Sequence, residues 1–232
     1  MEIKLTKSLV PIIAKNDFDT VATDFLNEYF SEALLYPAQI PIEEIATNKM
    51  SLKLERVSIT DDLSILGQMF FSDGGAEVYL KETDEVIIKN VHKGTMFIDP
   101  NVSLVRNIGS ERNTIAHECV HWYMHRQYHQ LAALAGNSSL AVASRCPVEE
   151  IKKNENKWDD VDWMEWQANG IAPTILMPKV HFINSVNKNM WYQKYLKRRE
   201  EAMLDVLIAE IAEFYGVSKQ SVSIRLKETG LI

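Results

Sequence analysis

Residues 113–121 read NTIAHECVH, and within them His117, Glu118 and His121 make H-E-x-x-H. The stretch lies in a longer run, 110–130 (SERNTIAHECVHWYMHRQYHQ), that predicts a helix capped by Ser110 and partly buried through Ile115, Ala116, Trp122 and Met124. The spacing carries the chemistry. Residues four apart stand one turn above each other, so two imidazoles can close on one metal ion. The glutamate beside the first histidine falls next to that pair, where it can act on water as a base. His125 and His129 continue the ladder, but each four-residue step climbs about 6 Å and puts His129 about 12 Å from His121. Metal–nitrogen bonds of about 2.0–2.1 Å cannot span that series. The position six residues after His121, where one class of such enzymes keeps a third histidine, is Gln127. The third ligand must come from elsewhere.

Downstream, 160–177 reads as a helix with apolar residues at 164, 168, 171, 172, 175 and 176, which Pro173 is expected to kink or restart. Glu165 lies 44 residues after His121 and three before Ala168, so its carboxylate sits on or beside the buried stripe. A buried carboxylate without a partner is costly, and a metal ion removes the cost. An ion pair with Lys or Arg is the other reading of Glu165. Asn169, one turn on, is expected to share that face and donate to a ligand. Asp159, Asp160 and Asp162 crowd a helix start, where the dipole favours acids. Glu149 and Glu150 read as solvated.

Around this pair of helices the pattern is mixed. An amphipathic helix is expected over 17–35, and a short one from Pro41. Five β-branched or aromatic runs follow between 51 and 100 (SLKLERVSI, SILGQMFFS, AEVYL, EVIIKNV and GTMFIDP), consistent with a small, mostly antiparallel sheet. The last run, Thr95–Asp99, is a candidate edge for a substrate strand. The polar stretch 136–158 reads as a surface excursion, and helices over 190–215 and 218–228 close the chain. Ala212, Gly216 and Val222 have helix-turn-helix spacing. The fold class expected is α+β, with a catalytic domain over 1–189 and a helical subdomain over 190–232.

The composition sets limits. With 46% hydrophobic and 25% charged residues the chain is an ordinary globular protein, and a net charge of −7 argues against non-specific attraction to nucleic acid or anionic membrane. The C-terminal block offers only Lys219, Arg225 and Lys227 toward phosphates, so it is not expected to bind DNA. The start does not read as a signal peptide and no long apolar run occurs, so no membrane partner and a cytoplasmic location are expected. Cys119 points away from the histidine pair and reads as core. Cys146 reads as a small buried hydrophobe; the other reading has it reach the metal from the excursion and block the open site.

NTIAHECVH, EWQANGIAPTILMP and EFYGVSKQSVSIRLKETGL together resemble the ImmA/IrrE family of metallopeptidases. The family pattern pairs an AHE-x-x-H helix with a later E-x-x-A helix ending in L-M-P, which corresponds here to Glu165, Ala168, Ala172, Leu176, Met177 and Pro178. The likeness runs from about Phe25 to the C-terminus. Val120 stands where the family usually has Gly, Asn113 replaces a common Phe, and 130–160 is expanded. The resemblance implies a zincin-type fold. It makes His117, His121 and Glu165 ligands of Zn²⁺ (Mn²⁺ or another divalent ion being the alternative), with Glu118 as catalytic base. It also implies a protein substrate, a helix-turn-helix repressor whose cleavage relieves repression. Two other classes stay open: a non-catalytic, metal-stabilised regulator that binds the repressor, and a DNA-binding regulator acting through the C-terminal block. His125, Tyr123 and Tyr192 are candidates for stabilising an oxyanion.

Overall fold

The computed structural model describes residues 3–135, 139–147 and 158–232. Two short strands, β1 (Lys4–Leu5) and β2 (Pro11–Ile12), pair antiparallel ahead of the first helix. That helix, α1 (Phe18–Tyr29), buries Phe18, Val21, Ala22, Phe25 and Leu26, the apolar face its spacing predicts. It ends earlier than expected because Phe30 leaves helical geometry, with φ −157, and Ser31–Leu34 form only a tight 3-10 turn. A short α2 (Ile42–Glu44) follows and widens into a π-type turn through Lys49.

Each of the five sequence runs contributes a strand: β3 (Lys53–Arg56), β4 (Ile65–Phe70), β5 (Gly74–Leu80), β6 (Glu85–Val91) and β7 (Thr95–Ile98). One more, β8 (Ala143–Pro147), arises from the stretch expected to be a surface excursion. It forms because Ser144 and Cys146 alternate inward while Arg145 points to solvent, the period of two that a half-buried strand needs. The main sheet runs β3-β7-β4-β8, parallel between β3 and β7 and antiparallel elsewhere. β5 and β6 form a separate hairpin. β7 is therefore an inner strand with both edges paired, so Thr95–Asp99 cannot receive a substrate strand. β3 and β8 hold the outer places.

The helix carrying H-E-x-x-H, α3 (Ile108–Val120), starts before Ser110. Asn107 is its cap, with Oδ1 accepting from the Ser110 N–H at 2.8 Å. It opens into a π-type turn at His121–His125 and resumes as α4 (Arg126–Ala135). Next comes α5 (Asp160–Leu176), whose cap is Asp159: its Oδ1 accepts from the N–H of Val161 and of Asp162, both at 2.9 Å. Asp162 returns the contact to the Asp159 N–H, so this acidic cluster serves the helix end. α5 passes through Pro173 and ends only at Leu176. α6 (Lys179–Lys188) follows. The single helix expected over 190–215 is two, α7 (Met190–Arg198) and α8 (Glu201–Tyr215), parted at Arg199, whose φ of 55 is left-handed. Gly216 supplies the turn, at φ 62, into α9 (Lys219–Glu228).

One apolar core joins these layers. Phe25, Met69, Phe71, Met96, Ile115, Ala116, Ala168 and Ile171 share it with Leu207, Ile211, Tyr215 and Leu226 of the C-terminal helices. Polar ties fix the same arrangement. Arg112 of α3 donates to the Gly216 carbonyl at 2.8 Å and to the Ile40 carbonyl at 2.6 Å, so the C-terminal turn braces the H-E-x-x-H helix. Arg225 of α9 is 2% exposed; it pairs with Asp19 and donates to the Met177 carbonyl from Nη2 at 3.1 Å. The architecture is α+β. Among the described residues no helix is long and apolar enough to cross a membrane.

Candidate metal centre

α3 and α5 pack directly on each other, and the contact brings His117, His121 and Glu165 to one point. The two Nε2 atoms are 2.9 Å apart. Glu165 Oε1 lies 3.1 Å from His121 Nε2, and Oε2 lies 3.2 Å from His117 Nε2. Both histidines are fully buried, and Glu165 is 7% exposed.

A chain of hydrogen bonds fixes which nitrogen of His121 is available. Gln167 Nε2 donates to the Pro11 carbonyl at 2.7 Å, which leaves Oε1 to face His125 Nε2 at 2.9 Å. That oxygen can only accept, so His125 carries its proton on Nε2. Burial, reinforced by the neighbouring His121, holds the His125 pKa well below the ordinary range, so the ring is neutral and Nδ1 is an acceptor. His121 Nδ1, 2.9 Å away, must then be the donor. The bare nitrogen of His121 is therefore Nε2, the one aimed at Glu165 and His117.

The charges at this point are strongly perturbed. Burial works against a charged His117, but Cys146 and Glu165 outweigh it and raise its pKa. Burial likewise works against a charged Glu165, and His121 and His117 outweigh it, holding the carboxyl well below the usual carboxylate range. Burial depresses His121. Glu165 Oε2 has no hydrogen-bond partner, and two imidazoles with one carboxylate are a donor set suited to a divalent ion.

Glu118 stands beside the cluster and is fully buried. Ser144 Oγ of β8 donates to its Oε2 at 3.2 Å, while Oε1 has no partner. Burial first, and the charge of Glu165 as well, push its pKa up to about 8. β4 can cross this close only because residue 67 is glycine. A Cβ there would stand 2.7 Å from Thr114 Cγ2 and 2.9 Å from Glu118 Oε1. Cys146, also on β8, lies in one cluster with His117 and Glu118.

Other candidates fall elsewhere. Asn169 is exposed: four residues at about 100° each leave it about 40° further round α5 than Glu165, past the edge of the buried stripe. Gln167 takes the supporting role expected of Asn169, from the opposite flank of the stripe. Cys119 is core. His129 stacks on Phe71 with ring centroids 4.1 Å apart, and burial pushes its pKa down to about 3. Tyr123 packs edge-on against Phe25, and Tyr192 donates to the Leu231 carbonyl at 2.8 Å, so the Tyr192 hydroxyl is not spare for an oxyanion. His125 meets His121 from behind. Glu149 and Glu150 lie outside the described residues.

The family model of the IrrE N-terminal-like domain, a peptidase M78 family, matches residues 72–227, which include α3, α5 and the C-terminal helices. The chain belongs to the M78 peptidases. Membership gives it a metallopeptidase kind of function with protein as substrate, and its α+β architecture agrees with the zincin-like fold of that family. The match begins after β4, so Gly67 and the N-terminal helices of this M78 peptidase lie outside it. Among curated proteins no match is found.

Proposed function

We propose that this M78 peptidase is a zinc-dependent endopeptidase of the cytoplasm that cleaves a helix-turn-helix transcriptional repressor and so relieves repression. His117, His121 and Glu165 hold the ion, and Glu118 is the catalytic base. The reading is carried by the bare Nε2 of His121 converging with His117 and Glu165 in a buried site. Zinc is favoured because two histidines and a glutamate are a known catalytic set for it, with Mn²⁺ or another divalent ion as the alternative. Bound there, the ion would lower the pKa of water toward about 7 and polarise a peptide carbonyl.

The protein's own groups do the rest. Glu118 accepts the proton of the attacking water and hands it to the departing amine. Ser144 steadies the other oxygen of Glu118. An extended substrate adds to the outer edge of β8, which pairs with no strand among the described residues. Residues 190–232 form a helical subdomain that braces α3 through Arg112.

Of the two rival readings, DNA binding loses one of its three cations, since Arg225 is buried on Asp19 and Met177. A purely structural metal site has no use for Glu118, a buried carboxylate with an unpartnered oxygen. The test is incubation of the zinc-loaded protein with the helix-turn-helix repressor encoded beside its gene. Cleavage at one site by wild type and none by Glu118→Gln is expected. An intact repressor with active, metal-loaded wild type would overturn the substrate assignment.

A further inference from the structure

β8 carries two side chains into the centre, Ser144 and Cys146, which share a strand face two residues apart. Ser144 is accounted for by Glu118. Cys146 is 7% exposed, and on one side it packs on Leu66 and Val102. It also meets polar groups: the thiol, a nitrogen of His117 and an oxygen of Glu118 all lie within 4.8 Å of one another. His117 Nδ1 has no hydrogen-bond partner, and His117 Nε2 faces His121 and Glu165. Opposite Cys146 the β4 register slips. Ile65 pairs with Pro147 and Gly67 with Cys146, leaving Leu66 as an extra residue. Such a bulge bends the strand pair and re-aims a side chain.

We infer that Cys146 is a fourth protein ligand to the ion held by His117, His121 and Glu165, and that its coordination keeps the peptidase latent until β8 shifts. The inference rests on the metallopeptidase reading above. Two observations besides the cysteine point to it: Glu118 Oε1 and Glu165 Oε2 are buried and unpartnered, and each residue clusters with His117. A zinc–sulfur bond of about 2.3 Å requires the thiol, now within 4.8 Å of a His117 nitrogen, to move toward the ion. Binding takes the proton off Sγ and releases it to solvent. The contact then closes the position that water would use. A shift of β8, by substrate pairing at its outer edge, withdraws the thiol and frees that position.

The full-length protein, stripped by chelator and reloaded with Co²⁺, provides the test. Wild type should show a near-ultraviolet thiolate-to-cobalt charge-transfer band that is absent from Cys146→Ser and Cys146→Ala. The visible ligand-field bands should persist in both variants, because the two histidines and Glu165 remain. Competition with a chelator should show zinc binding weakened by at least about tenfold in Cys146→Ala, the low end of what losing even a supporting partner costs. The same variant should cleave reduced casein faster than wild type. Visible bands without the charge-transfer band in wild type would overturn the role of Cys146 and leave the metal centre standing. A charge-transfer band without faster cleavage by the variant would overturn latency. Absence of any cobalt spectrum would instead remove the metallopeptidase reading itself.

Discussion

Nδ1 of His121 lies 2.9 Å from Nδ1 of His125, and that contact decides which face of His121 is bare. His125 is held in turn by Gln167, and Gln167 by the Pro11 carbonyl. The tautomer of a residue at the centre is thus set by a backbone oxygen in β2, before the family match begins. Replacing His125 by Ala should lower zinc affinity by about 10–100-fold, the usual effect of losing a partner behind a ligand. Gln167→Ala should do the same to a smaller extent. Competition against a chelator of known affinity measures both, and unchanged affinity in His125→Ala would remove this support from the account.

Gly67→Ala is predicted to separate metal binding from chemistry. The added methyl would crowd Thr114 and Glu118 Oε1, at 2.7 and 2.9 Å, but touches none of the three ligands. Metal content should stay near that of wild type while cleavage falls by about 100-fold, the scale of an ångström-level misplacement. Turnover measured with metal content on the same sample decides it. Full activity would mean that Glu118 tolerates the shift.

The metal-free protein should lose stability as pH rises. Glu118 keeps its proton to about pH 8 in the folded chain, whereas an unfolded glutamate releases it near its ordinary 4.5. Between those values the folded state binds more protons, so this group's contribution falls as pH increases through the window. Glu118→Gln cannot ionise and removes that slope. Thermal melts of chelator-treated samples from pH 5 to pH 9 should show the variant gaining on wild type as pH rises. Parallel curves would show that burial does not raise Glu118.

Much of this was legible in the sequence where a single period governed. H-E-x-x-H brings two histidines to one point because a helix repeats every 3.6 residues, and Glu165 joins them from the apolar stripe of α5. The five runs between 51 and 100 became strands because β-branched and aromatic residues fill a half-buried surface. What escaped was set by contacts between elements. β8 lies in ASRCP, with almost no strand propensity, and is a strand because α3 covers Ser144 and Cys146. The alternation of Val142, Ser144 and Cys146 was its one faint signal. Gln167 sits about 200° around α5 from Glu165, so no shared stripe could join them. The break at Arg199 is a left-handed residue that composition does not announce.

Arg225 and its neighbours should separate by burial. Arg225→Ala leaves the Met177 carbonyl and Asp19 without their partner and should destabilise by about 2–3 kcal/mol, below the range for a fully buried pair because Asp19 is partly exposed. Lys219→Ala with Lys227→Ala should change stability by less than about 0.5 kcal/mol. Neither protein nor wild type should bind duplex DNA tightly at near-physiological salt. Urea unfolding and a DNA titration check the two halves. Sequence-selective DNA binding lost in the double lysine variant would contradict the assignment of these helices as a brace.

The central claim is that His117, His121 and Glu165 hold a catalytic divalent ion, and elemental analysis of wild type against Glu165→Ala tests it most directly. Wild type purified without chelator should carry about one zinc per chain, and the variant, still folded by circular dichroism, should carry less than about a tenth of that. Equal metal content in the two proteins would contradict the account.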